Sequence, residues 1–242
     1  MDKFLYDEMF KIEETHWWFV ARREIVLDQL DQFLSNKGKI LDIGCGTGVL
    51  IGFLEKFGEV YGLDSSPFAI EYCQQRGKGV IRKGALPEDI PFDAESFDLI
   101  TALDVIEHIG DDVAALKVMH KHLRKGGIFI CTVPAFSFLW SGHDEVHHHC
   151  RRYNRQELKE KLVAAGFGIN KISYYNTLLF PLIALIRFIR KFTPAAEHKS
   201  DAKMPSRIAN AFLRKLFASE KYMLRYLNLP YGISLLVIAV KK

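Results

Sequence analysis

The chain has only four cysteines in 242 residues, and no two of them form a C-x-x-C pair. Cys45, Cys73, Cys131 and Cys150 are scattered, which argues against a disulfide framework and for reduced thiols in a cytoplasmic protein. Residues 1–8 lack the basic and apolar blocks of a signal peptide. The apolar run at 177–186 is ten residues, half of the roughly 20 that a spanning helix requires. There is no internal repeat, no low-complexity tract and no strong excess of one charge, the net value being +4. These absences leave a globular protein expected in the cytoplasm.

What is present is ordinary in amount and uneven in placement. Apolar residues make up 49% and charged residues 26%, enough for one well-buried domain, alone or with an insertion. Between positions 176 and 231, ten Lys/Arg stand against three Asp/Glu, so the remainder carries about −3. The basic character belongs to one segment.

The stretch Ile40-Leu41-Asp42-Ile43-Gly44-Cys45-Gly46-Thr47-Gly48 organises the rest. Its apolar start reads as a buried strand, glycines follow at alternate positions, and helical spacing begins at Val49. A strand that turns through glycines into a helix leaves backbone N–H groups and bare main chain facing a ligand. The dinucleotide pattern G-x-G-x-x-G fails, because its third glycine falls on Val49. Another adenosine-containing cofactor is therefore favoured. A second strand, 59–64, closes on Asp64, where a carboxylate can accept hydrogen bonds from both ribose hydroxyls. Further strands are expected at 80–82, 97–103, 128–133, 169–175 and 233–240, and helices at 14–34, 49–57, 67–76, 112–123 and 155–165. This alternation predicts an α/β protein with a mainly parallel, doubly wound sheet.

Residues 40–48 resemble the first motif of class I S-adenosylmethionine-dependent methyltransferases, and Asp104-Val105-Ile106-Glu107-His108 resembles the D-V-L-E-H segment of their small-molecule members. The resemblance covers 40–175 and the last strand. It implies a Rossmann-like, seven-strand sheet with an antiparallel last strand, S-adenosylmethionine as cofactor and S-adenosylhomocysteine as product. Carried onto this chain, it assigns cofactor contacts to Asp42, Gly44, Cys45, Gly46, Gly48, Asp64, Ser65 and Leu103. Many relatives place an adenine-binding acid after the third strand; Ala85 or Leu86 stands there here, so backbone groups have to serve, with Glu88 as an alternative. Three units follow: an N-terminal helical cap at 1–37, the cofactor domain at 38–175 plus 231–242, and a helical insertion at 176–230 between strands six and seven.

Methyl transfer from a sulfonium is an in-line displacement in which alignment alone can supply roughly 7–11 kcal/mol, so no catalytic side chain is obligatory. On the acceptor side, the stretch 134–150 follows strand five at the carboxyl end of the sheet, where ligands bind. Its His143, Asp144 and His149 are candidate bases or hydrogen-bond partners, a surface loop being the alternative. The run W-S-G-H-D-x-x-x-x-H-x-R-R-Y resembles a bacterial branch of the class linked to cell-surface glycan or lipid loci, where His143, Asp144, His149, Arg151, Arg152 and Tyr153 are the aligned positions. Trp18, Arg22, Asp104, His108, Arg152 and Tyr153 are expected to cover the pocket or touch substrate; the alternative for Trp17 and Trp18 is a staple to the sheet. Glu107 and His108 are expected to pin the turn after strand four, and no metal is expected. A similar E-x-x-E-H run holds a divalent metal in quinone-type O-methyltransferases, but the first acid here is Asp104.

The expected partner is a small-molecule or lipid-linked acceptor. Nucleic acid is not expected: amino-methylating members usually carry [DNS]-P-P-[YFW] after strand four, where this chain has Leu103-Asp104-Val105-Ile106. In the insertion, Arg187, Arg190 and Lys191 share a helical face, and Arg207, Arg214 and Lys215 oppose Ile208, Phe212 and Leu216. Such helices suit a lid, a dimer contact or an anionic membrane surface, the last placing the protein peripherally on the inner face of the membrane. A non-catalytic, cofactor-binding or membrane-associated partner protein is the alternative function.

Overall fold

Two helices lead the chain, Lys3–Ile12 (α1) and Trp17–Phe33 (α2). The structure, a computed structural model, describes residues 3–34, 36–88, 90–190 and 204–242. The elements Gly38–Ile43 (β1), Val49–Leu54 (α3), Gly58–Asp64 (β2), Pro67–Arg76 (α4), Val80–Lys83 (β3) and Phe97–Leu103 (β4) follow. Next come Asp112–His122 (α5), Leu123–Pro134 (β5), Gly142–Val146 (α6), Arg155–Ala164 (α7) and Phe167–Tyr175 (β6). Phe180–Arg190 (α8), Arg207–Ala218 (α9), Glu220–Leu224 (α10) and Ser234–Lys241 (β7) complete the described elements.

The strands form one sheet in the order β3-β2-β1-β4-β5-β7-β6. β1 pairs in parallel with β2 and β4, while β7 runs antiparallel to both β5 and β6. Successive side chains of a strand point to opposite faces, and β1 shows it: Leu41 joins Leu116, Met119, Leu158 and Leu162 on one side. Ile40 joins Ile25, Leu30, Leu54 and Phe217 on the other. Both faces are therefore covered by helices, as the doubly wound reading requires. The chain leaves β1 toward β2 on one side and returns to β4 on the other, so a crevice opens at the carboxyl ends of these strands.

Three local features depart from the expected elements. The Lys125-Gly126-Gly127 segment, between the expected helix at 112–123 and strand at 128–133, lies inside β5, where the register against β4 shifts between Phe97 and Leu99. Gly126 takes φ +78, a conformation that admits a bulge without breaking the strand. The stretch 134–150 contains a short helix, α6, opened by a capping box between Ser141 and Asp144. Residues 3–12, ahead of the expected N-terminal helix, form one of their own.

The described residues of the insertion are largely helical, and Arg187 of α8 points inward. Arg187 is 8% exposed and donates from Nη1 to the Leu139 carbonyl at 2.8 Å. Its neighbours Phe188 and Ile189 are 61% and 52% exposed, so α8 presents apolar residues outward. The side chain of Arg190 and all of Lys191 lie outside the described residues. Helix α9 lies on α2, with Trp17 and Phe217 edge to face at 6.0 Å and Asn210 accepting from the Trp17 amide at 2.8 Å. Arg214 and Lys221 pair with Glu24, and Arg225 pairs with Asp28. Three of the ten cations between 176 and 231 are thus answered by two acids of α2. Among the described residues no helix is long and apolar enough to cross a membrane.

Candidate cofactor and acceptor site

A cavity of about 1060 Å³ occupies the crevice, at the upper end of typical ligand pockets. Its wall includes Asp42, Gly44, Cys45, Gly46, Asp64, Ser65, Ala85, Leu86 and Leu103, nine of the ten expected cofactor contacts. Gly48 is not among them. It caps α3 at φ +81, and a Cβ there would come within 2.8 Å of Cys73 Sγ. Its glycine serves the turn and its packing.

The glycine corner is built for close approach. Gly44 and Gly46 hold φ +65 and +55, which L side chains rarely adopt. Asp64 binds the corner together: Oδ2 accepts from the Gly46 amide and Oδ1 from the Ser66 amide, each at 2.9 Å. A carboxylate has about four acceptor positions, so capacity remains for a hydroxyl of a ligand. Burial pushes the Asp64 carboxyl up from its usual value, against the pull of the Ser66, Gly46 and Ser65 amides. Asp42 accepts from the Thr101 hydroxyl below, and burial pushes it up to about 7. A nucleoside with a vicinal diol and a cationic tail fits this wall.

The N-terminal helices roof the cavity. Tyr6, Met9 and Glu13 line it, none of them singled out by the sequence pattern. The buried Glu13 accepts from the Thr47 hydroxyl and from Arg76, whose Nε also donates to the Thr47 carbonyl at 2.7 Å. Trp17 and Trp18 both line the cavity, so they are roof as well as staple. The Arg22 guanidinium stacks 4.5 Å above the Trp18 ring and pairs with Asp104, while Arg23 is absent from the wall and packs on Phe53. Asp104 also accepts from the Thr132 hydroxyl at 3.1 Å.

His108, His143, His147, His149 and Arg152 converge on the other end. Asp144 does not reach the cavity; it is the buried hub behind it. It accepts from Arg152 Nε and Nη2 at 2.8 and 2.9 Å, and from His149 Nδ1 and the Ser141 amide at 2.9 Å each. Desolvation works to raise its carboxyl, but His149 and Arg152 hold it well below the usual carboxylate range. Tyr153 is likewise not a pocket residue. Fully buried, it donates to Asp112 at 2.8 Å. Nor does the Glu107 side chain pin its turn: the backbone does so, through the Glu107 carbonyl accepting from the Cys150 amide at 2.7 Å. Both Glu107 carboxylate oxygens are buried without a hydrogen-bond partner among the described residues.

A doubly wound sheet with an antiparallel last strand, a glycine corner and an acid closing β2 defines the class I methyltransferase architecture, whose cofactor is S-adenosylmethionine. The chain belongs to the methyltransferase domain family, whose model matches residues 18–171. A Mycolicibacterium smegmatis protein named "Probable S-adenosylmethionine-dependent methyltransferase" is 30% identical over 162 residues, 65% of this chain and 62% of that one. A ubiquinone biosynthesis O-methyltransferase of Cereibacter sphaeroides is 31% identical over 99 residues, 39% of this chain and 40% of that one. The chain thus spans less than two thirds of the length of these curated relatives. Phosphoethanolamine N-methyltransferase 2 of Haemonchus contortus, solved with S-adenosylmethionine, superposes at a TM-score of 0.59. It is 20% identical, with 89% of this chain and 51% of that one covered; this likeness concerns the fold.

Proposed function

We propose that the protein transfers a methyl group from S-adenosylmethionine to a small-molecule acceptor. The observation that carries this reading is Asp64, latched to the glycine corner by the Gly46 amide and open to the same cavity. When bound, the cofactor supplies an electrophilic methyl on a sulfonium leaving group. Asp64 would hold the ribose diol, and the backbone at 44–46 the amino-acid tail. Ala85 and Leu86 would bound the base, and Leu103 and Asp104 would lie near the methionine end. Trp18 and the Arg22–Asp104 pair shut out water from above. The acceptor would enter at the histidine end, where Asp144 fixes the His149 ring by its Nδ1 hydrogen bond. A carboxylate only accepts, so that nitrogen carries the hydrogen and Nε2 is the ring atom left to meet a ligand.

Calorimetric titration with S-adenosylmethionine tests the reading, followed by an acceptor screen for release of S-adenosylhomocysteine. Binding should occur in the wild type and fall at least about tenfold in Asp64→Ala, the value of one charge-assisted hydrogen bond. Undiminished affinity in the variant would refute it.

One observation favours a lipid-linked acceptor met at a membrane surface. Helix α8 lines the cavity with Ile183 and Ile186, while Leu182 and Leu185 are each 55% exposed beside Phe188 and Ile189. Such a helix could bridge an apolar phase and the cavity. Flotation with phosphatidylcholine–phosphatidylglycerol vesicles tests it: Leu185→Asp with Phe188→Asp should abolish binding, and no binding by the wild type would end the idea.

A further inference from the structure

Two segments more than 40 residues apart meet at the acceptor end. A Glu107 carboxylate oxygen and one ring nitrogen each from His108 and His149 all lie within 4.8 Å of one another. The His108 and His149 rings stand edge to face, centroids 4.7 Å apart. The segments are stitched together by the Cys150 amide on the Glu107 carbonyl. Glu107 is fully buried on the cavity wall, and neither carboxylate oxygen has a hydrogen-bond partner among the described residues. An isolated buried carboxylate is costly unless it takes a proton or meets a cation.

We propose that Glu107, His108 and His149 bind one divalent transition-metal ion, of the Zn²⁺ or Mn²⁺ kind, at the acceptor end of the cavity. The set is not the contiguous run of residues 104–108. Asp104 is engaged by Arg22 and Thr132, and the third ligand comes from the loop after β5. Asp144 prepares that ligand: it takes the His149 Nδ1 hydrogen at 2.9 Å and leaves Nε2 to ligate, the usual carboxylate–histidine–metal relay. Ligands at about 2.0–2.2 Å from one tetrahedral ion sit about 3.3–3.6 Å apart, so a pair at the 4.8 Å limit closes by about an ångström, a shift that side-chain rotation supplies. Two imidazoles and one carboxylate leave positions open, which suits an acceptor oxygen and a borderline metal more than Mg²⁺, which favours all-oxygen shells. The ion would hold that oxygen in line with the methyl and favour its deprotonated form. This inference deepens the methyl-transfer reading and rests on it for the acceptor, though not for the ion.

The test is a Mn²⁺ titration of the full chain, read by loss of the free-ion electron paramagnetic resonance signal, with Zn²⁺ as competitor. One saturable equivalent displaced by Zn²⁺ is expected, weakened more than about tenfold in Glu107→Gln and in His149→Ala. Binding should be unchanged in His148→Ala, an exposed neighbour outside the set. If Glu107→Gln does not fold, His108→Asn takes its place. Each variant should keep the thermal shift given by S-adenosylmethionine, since none of these residues is assigned to the cofactor. No saturable Mn²⁺ binding up to about 1 mM, or equal binding in wild type and variants, overturns the site. Saturable binding without a cofactor-induced shift would keep the ion and remove the methyl-transfer reading.

Discussion

Arg214 of α9 directs Nε and Nη2 onto one carboxylate oxygen of Glu24 in α2, at 3.0 and 2.7 Å, across 190 residues of sequence. The pair marks the seam between the basic insertion and the N-terminal cap, but it does not hold it. Half-exposed ion pairs contribute about 0–1 kcal/mol. Phe217, fully buried between Trp17 and a stacked Tyr175, carries more. Urea unfolding should show a loss of about 3–5 kcal/mol for Phe217→Ala and under about 1 kcal/mol for Glu24→Gln with Asp28→Asn. The reverse order, with strong salt dependence, would mean the charges hold the seam.

The glycine corner gives a second prediction. A Cβ at Gly44 would meet Val105 Cγ2 at 2.5 Å, and the residue sits at φ +65. Gly44→Ala combines a collision with a left-handed backbone costing about 1–2 kcal/mol. Affinity for S-adenosylhomocysteine should fall at least about tenfold. Adding Val105→Ala should restore part of it, because the collision goes while the backbone strain stays. Full recovery would show that the conformation at Gly44 is immaterial; no recovery would show that Val105 is.

How much of this was legible follows from how local each feature is. The β1–α3 corner and Asp64 are read directly from glycine spacing and from an acid at a strand's end. The period of 180–190 shows two faces on α8 but not which one turns inward. Arg187 goes inside because the Leu139 carbonyl and the cavity receive it. The match of α9 to α2 joins residues with no local signature. Asp144 and Tyr153 were placeable near the site, but not behind it. Only the positions of Arg152 and Asp112 show that these two side chains complete buried hydrogen bonds.

Asp144→Asn separates the hub from the cofactor wall. Arg152 is 3% exposed and would lose its carboxylate partner. Removing one member of a buried pair costs about 3–5 kcal/mol, so a large fall in melting temperature is expected. Affinity for S-adenosylmethionine should change less than about twofold once the protein is folded, because Asp144 does not line the cavity. A strong loss of cofactor affinity in calorimetry would place the acceptor loop in contact with the cofactor.

Asp112 gives the pH dependence. Its carboxylate accepts from Lys161 and Arg151 at 2.9 Å each and from the Tyr153 hydroxyl at 2.8 Å. Burial works to raise its pKa, but Lys161, Tyr153 and Arg151 outweigh it and the value falls below that of a free aspartate. A depressed folded-state pKa stabilises the fold fully above the unfolded value of about 3.9, and that contribution is lost as pH drops through the folded value. Asp112→Asn should therefore cost about 2 kcal/mol at pH 7 and equally at pH 5. In urea unfolding across a pH series, the gap from the wild type should narrow only below about pH 4. A gap that closes between pH 7 and 5, or one that widens in acid, would contradict the assignment of these three donors to an ionised Asp112.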